Sequence, residues 1–275
     1  MLNIGMRAHD IEAENITDLA QKLEQLDIHN IQLALLKSIH DIDLSEGRFS
    51  PGLARFFRKE LEKRDIHVSV LGCYINPVHP DPAERELQLN RFREHIKYAH
   101  YIGADMIGTE TGSVNFDWSF NPNNHSEENY RDFLSVMRPL AEYASSLGVM
   151  LGIEGVYYHT LYSPERMKRF LDDINMPNVS VIFDPINYLY AGNFHDQHKI
   201  IEQAFELFGD RIAAVHIKDF VVKNNELHFA LPFEGEFDFP FLIDRIKMYK
   251  PYINLLMEGV PPQEVTRIRE KLLTL

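Results

Sequence analysis

Short, continuous apolar runs recur along the chain and alternate with longer stretches in which apolar residues follow a helical repeat. A short apolar run without polar alternation is typical of a strand that is buried on both faces, as in a parallel sheet. The sequence predicts eight such strands, at residues 3–8, 30–35, 67–75, 105–109, 149–154, 179–184, 212–217 and 253–258.

The stretches between these runs predict helices. Ser126 and Ser163 each precede acidic first-turn residues, as capping hydroxyls do. Gly103 and Gly148 each follow a helical run and predict left-handed helix ends. The predicted helices cover residues 15–26, 50–64, 81–101, 126–147, 163–174, 196–208, 238–249 and 261–273.

Eight alternating strand and helix units predict an α/β protein with a single (β/α)8 TIM barrel, one domain over residues 1–275, in preference to an open doubly wound sheet. Positions 154 and 184 are 30 residues apart, positions 184 and 216 are 32 apart, and positions 216 and 258 are 42 apart. The excess in the last step predicts a long loop at residues 220–237. A parallel barrel places the carboxyl ends of all strands on one face, where active sites lie.

Charged residues end four of the apolar runs, in the second half of the chain. These residues are Glu154, Asp184, His216 and Glu258. Such side chains are rarely buried unless they are paired or bound to a metal. Any one of them alone could be an exposed strand end or a core histidine, but together they predict a shared site for a divalent metal.

Three carboxylates and one imidazole are mostly hard ligands, which favour one divalent ion, Mn²⁺ first, with Mg²⁺, Co²⁺ and Zn²⁺ as alternatives. Four protein ligands leave room for a substrate to chelate through adjacent oxygens, which acidifies the neighbouring C–H. Glu154 and Glu258 come from the fifth and eighth strands, so they are the predicted catalytic pair that moves a proton between two faces of a flat intermediate. Asp184 and His216 are predicted to be mainly ligands.

Composition limits the partners and the location of the chain. Its formal net charge of −13 opposes binding to phosphate backbones, so nucleic acid is not an expected partner. No run approaches the roughly 18 apolar residues of a membrane span, and the first residues lack a signal-peptide layout. The single cysteine, Cys73, is expected to be a small buried apolar residue. These features predict a cytoplasmic protein without a membrane partner, and they leave open whether it forms a homo-oligomer.

The motifs around the four strand ends resemble a known family. They are I-E-G at Glu154, F-D-P-x-N at Asp184, H-I-K-D at His216, M-E-G at Glu258, T-E-T-G at 109–112 and N-P-x-x-P at 76–80. Over essentially the whole chain they resemble the sugar phosphate isomerase/epimerase group of xylose-isomerase-like barrels. This group includes ketose 3-epimerases, inosose isomerases and dehydratases, and the DNA-repair endonuclease IV. In its epimerases, the resemblance implies a Mn²⁺-type site at these four positions, with the two glutamates exchanging a proton through a cis-enediolate.

Two departures from the patterns of the group limit which substrate and which kind of metal site are expected. Ketose 3-epimerases usually carry a histidine three residues after the aspartate, where this chain has Asn187, so the sugar is left unassigned. Endonuclease IV uses three metals and further histidines. Here the fourth strand ends in Glu110, Asn187 replaces another ligand, and Glu226-x-His228 is only a partial match. A trinuclear site is therefore not expected.

Further polar and aromatic residues near the strand ends are predicted to bind the substrate. They are Glu110, Asn187, Lys218, His9, Trp118, Tyr157 and Phe233. Three of them have alternative roles: Lys218 could pair with Asp219, Glu110 could brace the loop after the fourth strand, and His9 on the first strand could be a satisfied surface histidine.

The expected function is the metal-dependent epimerisation or isomerisation of a small sugar, ketose or polyol-derived ketone. The reaction would proceed by proton transfer at the carbon next to a metal-chelated carbonyl. An unphosphorylated carbohydrate is preferred because no basic phosphate cradle is evident. The alternatives are a dehydratase of an inosose-like substrate, an endonuclease IV-like phosphodiesterase and a non-catalytic sugar-binding barrel.

Overall fold

Eight parallel strands form a closed barrel in the computed structural model, which describes residues 2–275. They are β1 (Asn3–Arg7), β2 (Asn30–Leu33), β3 (His67–Gly72), β4 (Ala104–Glu110), β5 (Met150–Glu154), β6 (Val179–Phe183), β7 (Ile212–Ile217) and β10 (Asn254–Met257). The strand order is β1-β10-β7-β6-β5-β4-β3-β2, and β1 pairs with both β10 and β2, which closes the barrel. The predicted TIM barrel is confirmed, and all eight predicted strands are present.

Helices follow the barrel strands and cover them from outside. They are α1 (Ile16–Gln25), α2 (Leu35–Ser38), α3 (Pro51–Glu62), α4 (Pro82–Ile102), α5 (Glu127–Ser146), α6 (Pro164–Ile174), α7 (Gln197–Phe208), α8 (Phe239–Tyr249) and α9 (Pro262–Thr274). The hydroxyls of Ser126 and Ser163 accept backbone hydrogen bonds at the starts of α5 and α6, as predicted. Gly103 and Gly148 have φ of +80° and +68°, the left-handed conformation predicted for them. The short helix α2 was not predicted, because one turn gives no periodicity.

The interior of the barrel is narrow and is filled by apolar side chains. A small buried cluster lies inside it: Val70, Met106, Ile182, Ala214 and Leu256. Glycine is required at two strand positions here. A Cβ on Gly108 would lie 2.8 Å from the Ile182 side chain, and one on Gly152 would lie 2.8 Å from the Met106 sulfur. The closed packing leaves the carboxyl ends of the strands as the face where polar side chains converge.

The long loop predicted after the seventh strand is a β-hairpin. Strands β8 (Asp219–Lys223) and β9 (Glu226–Ala230) pair antiparallel. The turn residues Asn224 and Asn225 have φ of +52° and +63°, as a two-residue hairpin turn needs. These two strands were not predicted, because β9 is short and mostly exposed and because the turn carries asparagine where glycine gives the strongest signal of a hairpin.

Two further expectations are settled by the fold. Cys73 is buried, and burial raises the pKa of its thiol to about 12, so it is an unreactive core residue as predicted. His9 does not lie on the first strand, since β1 ends at Arg7 and His9 belongs to a following single turn. Among residues 2–275, none of the helices is both long and apolar enough to cross a membrane.

Candidate metal centre and active site

The four charged strand ends meet at one end of the barrel. Glu154 is the last residue of β5, Asp184 directly follows β6, His216 lies near the end of β7, and Glu258 directly follows β10. Each residue offers one ligand atom, and these atoms all lie within 4.8 Å of one another. The parallel strands bring them together, since all carboxyl ends lie on the same side.

His216 is the buried centre of this cluster. Its Nδ1 lies 3.0 Å from Glu154 Oε1 and 3.5 Å from Glu258 Oε2, so both predicted catalytic glutamates reach the same ring nitrogen. Its Nε2 lies 2.7 Å from Gln32 Oε1, which can only accept a hydrogen bond. Nε2 must therefore carry a proton, and Nδ1 faces the two carboxylates.

Gln32 fixes the orientation of the His216 ring, and Tyr74 in turn holds Gln32. Gln32 is fully buried on β2, and its amide Nε2 donates a hydrogen bond to the hydroxyl of Tyr74. Gln32 was not predicted, although a glutamine between Ile31 and Leu33 in a buried strand is a signal of a buried polar contact. The contact itself joins residues 184 positions apart.

Two cations fix the remaining carboxylates. Lys218 Nζ lies 2.8 Å from Asp184 Oδ2 and 3.6 Å from Glu258 Oε1. Arg7 Nη1 lies 2.9 Å from Glu258 Oε1, a contact that was not predicted because the two residues stand at opposite ends of the chain. The alternative pairing of Lys218 with Asp219 is wrong. The Asp219 carboxylate accepts backbone N–H bonds from Phe220, Gly235 and Phe237.

These charges set the protonation of the cluster. Burial would lower the pKa of His216, but the charge and hydrogen bond of Glu154, with Glu258 and Asp184, raise it to about 9. Burial would raise the pKa of Glu258, but Lys218, His216 and Arg7 lower it instead. Burial raises the pKa of Asp184 despite the opposing charge of Lys218. The buried carboxylates therefore favour the charged forms of His216 and Lys218 at the centre of the cluster.

Asn187 connects Glu154 with Lys218. Its amide Nδ2 donates a hydrogen bond of 2.8 Å to Glu154 Oε1, and its Oδ1 accepts one of 2.5 Å from Lys218. Asn187 and Lys218, both predicted substrate ligands, thus lie within the site and orient its carboxylates.

Glu110 lies beside Glu154, its register partner on the neighbouring strand. Burial, followed by the charge of Glu154, raises the pKa of Glu110 to about 8. His159 Nδ1 lies 3.3 Å from Glu110 Oε2, and the Trp118 ring lies 5.4 Å from the His159 ring. Glu110 and Trp118 are therefore connected through His159, a buried residue that was not predicted because nothing in the sequence sets it apart.

The other three candidates are His9, Tyr157 and Phe233. His9 is half-buried, and burial together with Arg7 lowers its pKa to about 4. Tyr157 stacks on Tyr190 at the mouth of the barrel. Phe233 does not line the mouth, because its ring packs against Phe239 and lies under the Lys271 ammonium.

The fold of this chain is shared with known proteins. Residues 20–272 match the sequence profile of the xylose isomerase-like TIM barrels. The chain belongs to this family. No curated protein matches this family member in sequence.

Three solved structures of similar shape give the breadth of the xylose isomerase-like barrels. The 3-keto-D-glucoside 4-epimerase of E. coli is 16% identical, with 100% of each chain covered and a TM-score of 0.74. The D-psicose 3-epimerase of Clostridium cellulolyticum H10 is 14% identical, with 99% of this chain and 97% of that chain covered and a TM-score of 0.73. The IOLI protein, solved with a bound zinc atom, is 15% identical, with 99% and 97% covered and a TM-score of 0.73. At these identities the similarity shows a shared fold.

The four residues fit a divalent ion. Ligands at about 2.1 Å from an ion of the size of Mg²⁺ are about 4.2 Å apart when they lie on opposite sides of it. The ligand atoms here lie within 4.8 Å of one another, so movements of a few tenths of an ångström would place all four in contact with one ion. The set of three carboxylates and one imidazole matches the preference of such ions for hard ligands.

Proposed function

We propose that this protein is a divalent-metal-dependent epimerase or isomerase of a small sugar or polyol-derived ketone. One observation carries the proposal: Glu154 and Glu258, which come from strands separated by two others, both reach His216 Nδ1 within a buried cluster. Two carboxylates that reach one centre from separate strands supply the two groups that proton transfer between the faces of a substrate carbon requires.

In this scheme, one glutamate removes the proton from the carbon beside the substrate carbonyl, and the C–H electron pair moves onto the carbonyl oxygen to give an enediolate. The other glutamate, which starts the cycle protonated, donates its proton to the opposite face as the carbonyl re-forms, so the epimeric product is released with the protonation states of the two glutamates exchanged. A bound divalent ion, with Mn²⁺ preferred, would polarise the carbonyl and offset the charge of the ligands. Asn187 and Lys218 hold Glu154 and Asp184 in place, because their own hydrogen bonds and ion pair limit rotation of these carboxylates.

Deuterium incorporation tests this proposal directly. The Mn²⁺-loaded protein is incubated in D₂O with ketoses, inososes and 3-keto-D-glucosides, and deuterium at carbon is measured by NMR. We expect exchange in at least one class, with an epimer or isomer as the product. An unsaturated product would assign the dehydratase instead, and absence of exchange in every class would contradict the proposal.

Gln32 is a positioning residue in this scheme, acting through His216. Partners that orient a metal-bound histidine typically change metal affinity about 10- to 100-fold when they are lost. Gln32→Leu should therefore weaken Mn²⁺ binding about 10- to 100-fold, measured by calorimetric titration. Gln32→Glu keeps the acceptor and should retain most of the affinity.

The matched control for Gln32 is Gln21→Leu on the exposed face of α1, which should leave metal affinity unchanged. Nitrogen-15 NMR of the His216 ring provides a second reading, because loss of the acceptor should change the chemical shift of the protonated Nε2. A Gln32→Leu protein with normal metal affinity and an unchanged Nε2 chemical shift would show that Gln32 only fills space.

A further inference from the structure

An aromatic platform lies at the mouth of the barrel, made of Phe120, Tyr157 and Tyr190. The rings of Tyr157 and Tyr190 stack with centroids 4.0 Å apart and planes 14° apart. Phe120 lies parallel to Tyr157, with centroids 6.1 Å apart and planes 4° apart. Phe120 is 49% exposed and Tyr190 is 38% exposed, so the platform presents apolar ring surface to solvent.

The platform is built on the same loops as the metal centre. Tyr157 follows Glu154 by three residues, and Tyr190 follows Asn187 by three residues. The Tyr157 backbone N–H donates a hydrogen bond of 2.6 Å to the Asn187 carbonyl, and the Tyr157 carbonyl lies 2.7 Å from His125 Nε2. These bonds hold the backbone of Tyr157 in place, and the rings of Phe120 and Tyr190 lie against the Tyr157 ring, so a ligand would bind the platform with little ordering cost.

A cavity of about 890 Å³ extends from the platform to the hairpin. Its opposite wall is the hairpin tip, formed by Asn225, Glu226 and Leu227. This volume lies at the upper end of the range for pockets that hold drug-sized ligands, about 300–1,000 Å³. It therefore has room for a group in addition to the reacting sugar.

Asn187 connects the wall of the cavity with the metal centre. Its backbone carbonyl accepts the N–H of Tyr157, which lines the cavity, and its amide Nδ2 donates a hydrogen bond of 2.8 Å to Glu154 Oε1. The cavity wall is therefore two hydrogen bonds away from a predicted metal ligand.

The lining chemistry favours a neutral, flat or weakly polar group. None of the lining residues, all of which lie in the described part of the chain, is lysine or arginine, and Glu226 adds a negative charge. A phosphate would thus meet no cation in this cavity. The C–H faces of a sugar ring, or an aromatic group, would bury the exposed ring surface.

We propose that this cavity is a second subsite, and that the substrate is a glycoside whose reacting ring lies at the metal centre while its attached group stacks on the aromatic platform. This inference rests on the proposed function. If the substrate were a free monosaccharide at the metal centre, the cavity would hold only water and the platform rings would stay exposed.

The test compares phenyl glycosides, methyl glycosides and free sugars of glucose, galactose and mannose as ligands of the Mn²⁺-loaded full chain. Dissociation constants come from calorimetry, and saturation-transfer NMR shows which ligand protons lie against the protein. We expect the phenyl protons to receive saturation, and at least one phenyl glycoside to bind about three- to tenfold more tightly than its methyl counterpart. Phe120→Ala and Tyr190→Ala should each remove most of that preference.

Phe116→Ala is the matched control for these variants. Phe116 lies on the same loop as Phe120 and is 70% exposed, but its ring contacts His79 and does not line the cavity. This variant should keep the full preference for phenyl glycosides.

The subsite is overturned if phenyl glycosides bind no more tightly than methyl glycosides, or if the preference survives both platform variants. Light scattering adds a further check: a dimer that dissociates in both platform variants would assign these rings to an interface between two copies of the chain.

Deuterium exchange separates this inference from the proposed function. A preference for phenyl glycosides without deuterium exchange would support the subsite and contradict the proposed epimerase. Deuterium exchange on free ketoses without any glycoside preference would support the epimerase and contradict the subsite.

Discussion

Replacing Glu154 or Glu258 with glutamine is expected to slow deuterium exchange at the substrate carbon by about 100- to 10,000-fold, the usual contribution of a positioned acid or base. The amide keeps the size and an acceptor oxygen of the side chain but cannot carry the proton. Exchange rates are measured by NMR at saturating Mn²⁺ and substrate, and the metal content of each variant is determined alongside.

The control for these variants is Glu234→Gln, a carboxylate that is half-exposed and paired with Arg267 outside the metal centre. It should exchange at the rate of the unmodified protein. Near-normal exchange in either Glu154→Gln or Glu258→Gln, with metal bound, would mean that the two-glutamate scheme is wrong.

Removing the metal is expected to abolish exchange and to lower thermal stability. Binding to the folded chain alone adds about 2.7 kcal/mol when free metal is 100 times its dissociation constant. For a chain of this size that corresponds to a rise in unfolding temperature on the order of 5–10 °C. Chelator-treated protein should regain both properties with one equivalent of Mn²⁺, measured by calorimetry and elemental analysis.

Asp184→Asn separates the metal effect from general damage to the fold. Asp184 Oδ1 accepts hydrogen bonds from the backbone N–H groups of Ile186 and Asn187, and an amide oxygen can keep both. The variant should therefore fold, yet lose the rise in unfolding temperature on addition of Mn²⁺. Full activity in a metal-free protein would contradict the mechanism.

The sequence predicted the barrel and its strand ends because both depend on local patterns. Each buried strand is a short apolar run, and Glu154 and Glu258 are the charged residues that end such runs. Gly103 and Gly148 were predicted for the same reason, since a left-handed residue after a helix is specified within one turn.

The supporting contacts of the site could not be predicted, because each joins distant parts of the chain. Gln32 reaches His216 across 184 positions, and Arg7 reaches Glu258 from the first strand. Phe233 was predicted to line the mouth from its place in a presumed loop, but the hairpin puts a different ring there. Phe229 on β9 lies against Gly259, beside Glu258. The position of Phe229 depends on the register of the hairpin, where it lies opposite Phe220, and the sequence pattern did not predict this pairing.

Because β1 pairs with β10, the site can be completed only after the last barrel strand has been synthesised. Glu258 follows the last barrel strand, and it is held by Arg7 from the first, with Met6 opposite Met257 in the ladder between them. During synthesis on the ribosome, residues 7, 154, 184 and 216 emerge well before residue 258, so the nascent chain exposes an incomplete set of ligands. In the proposed metal-dependent enzyme, tight metal binding would require a complete barrel, and it would report closure of the chain into its native ring.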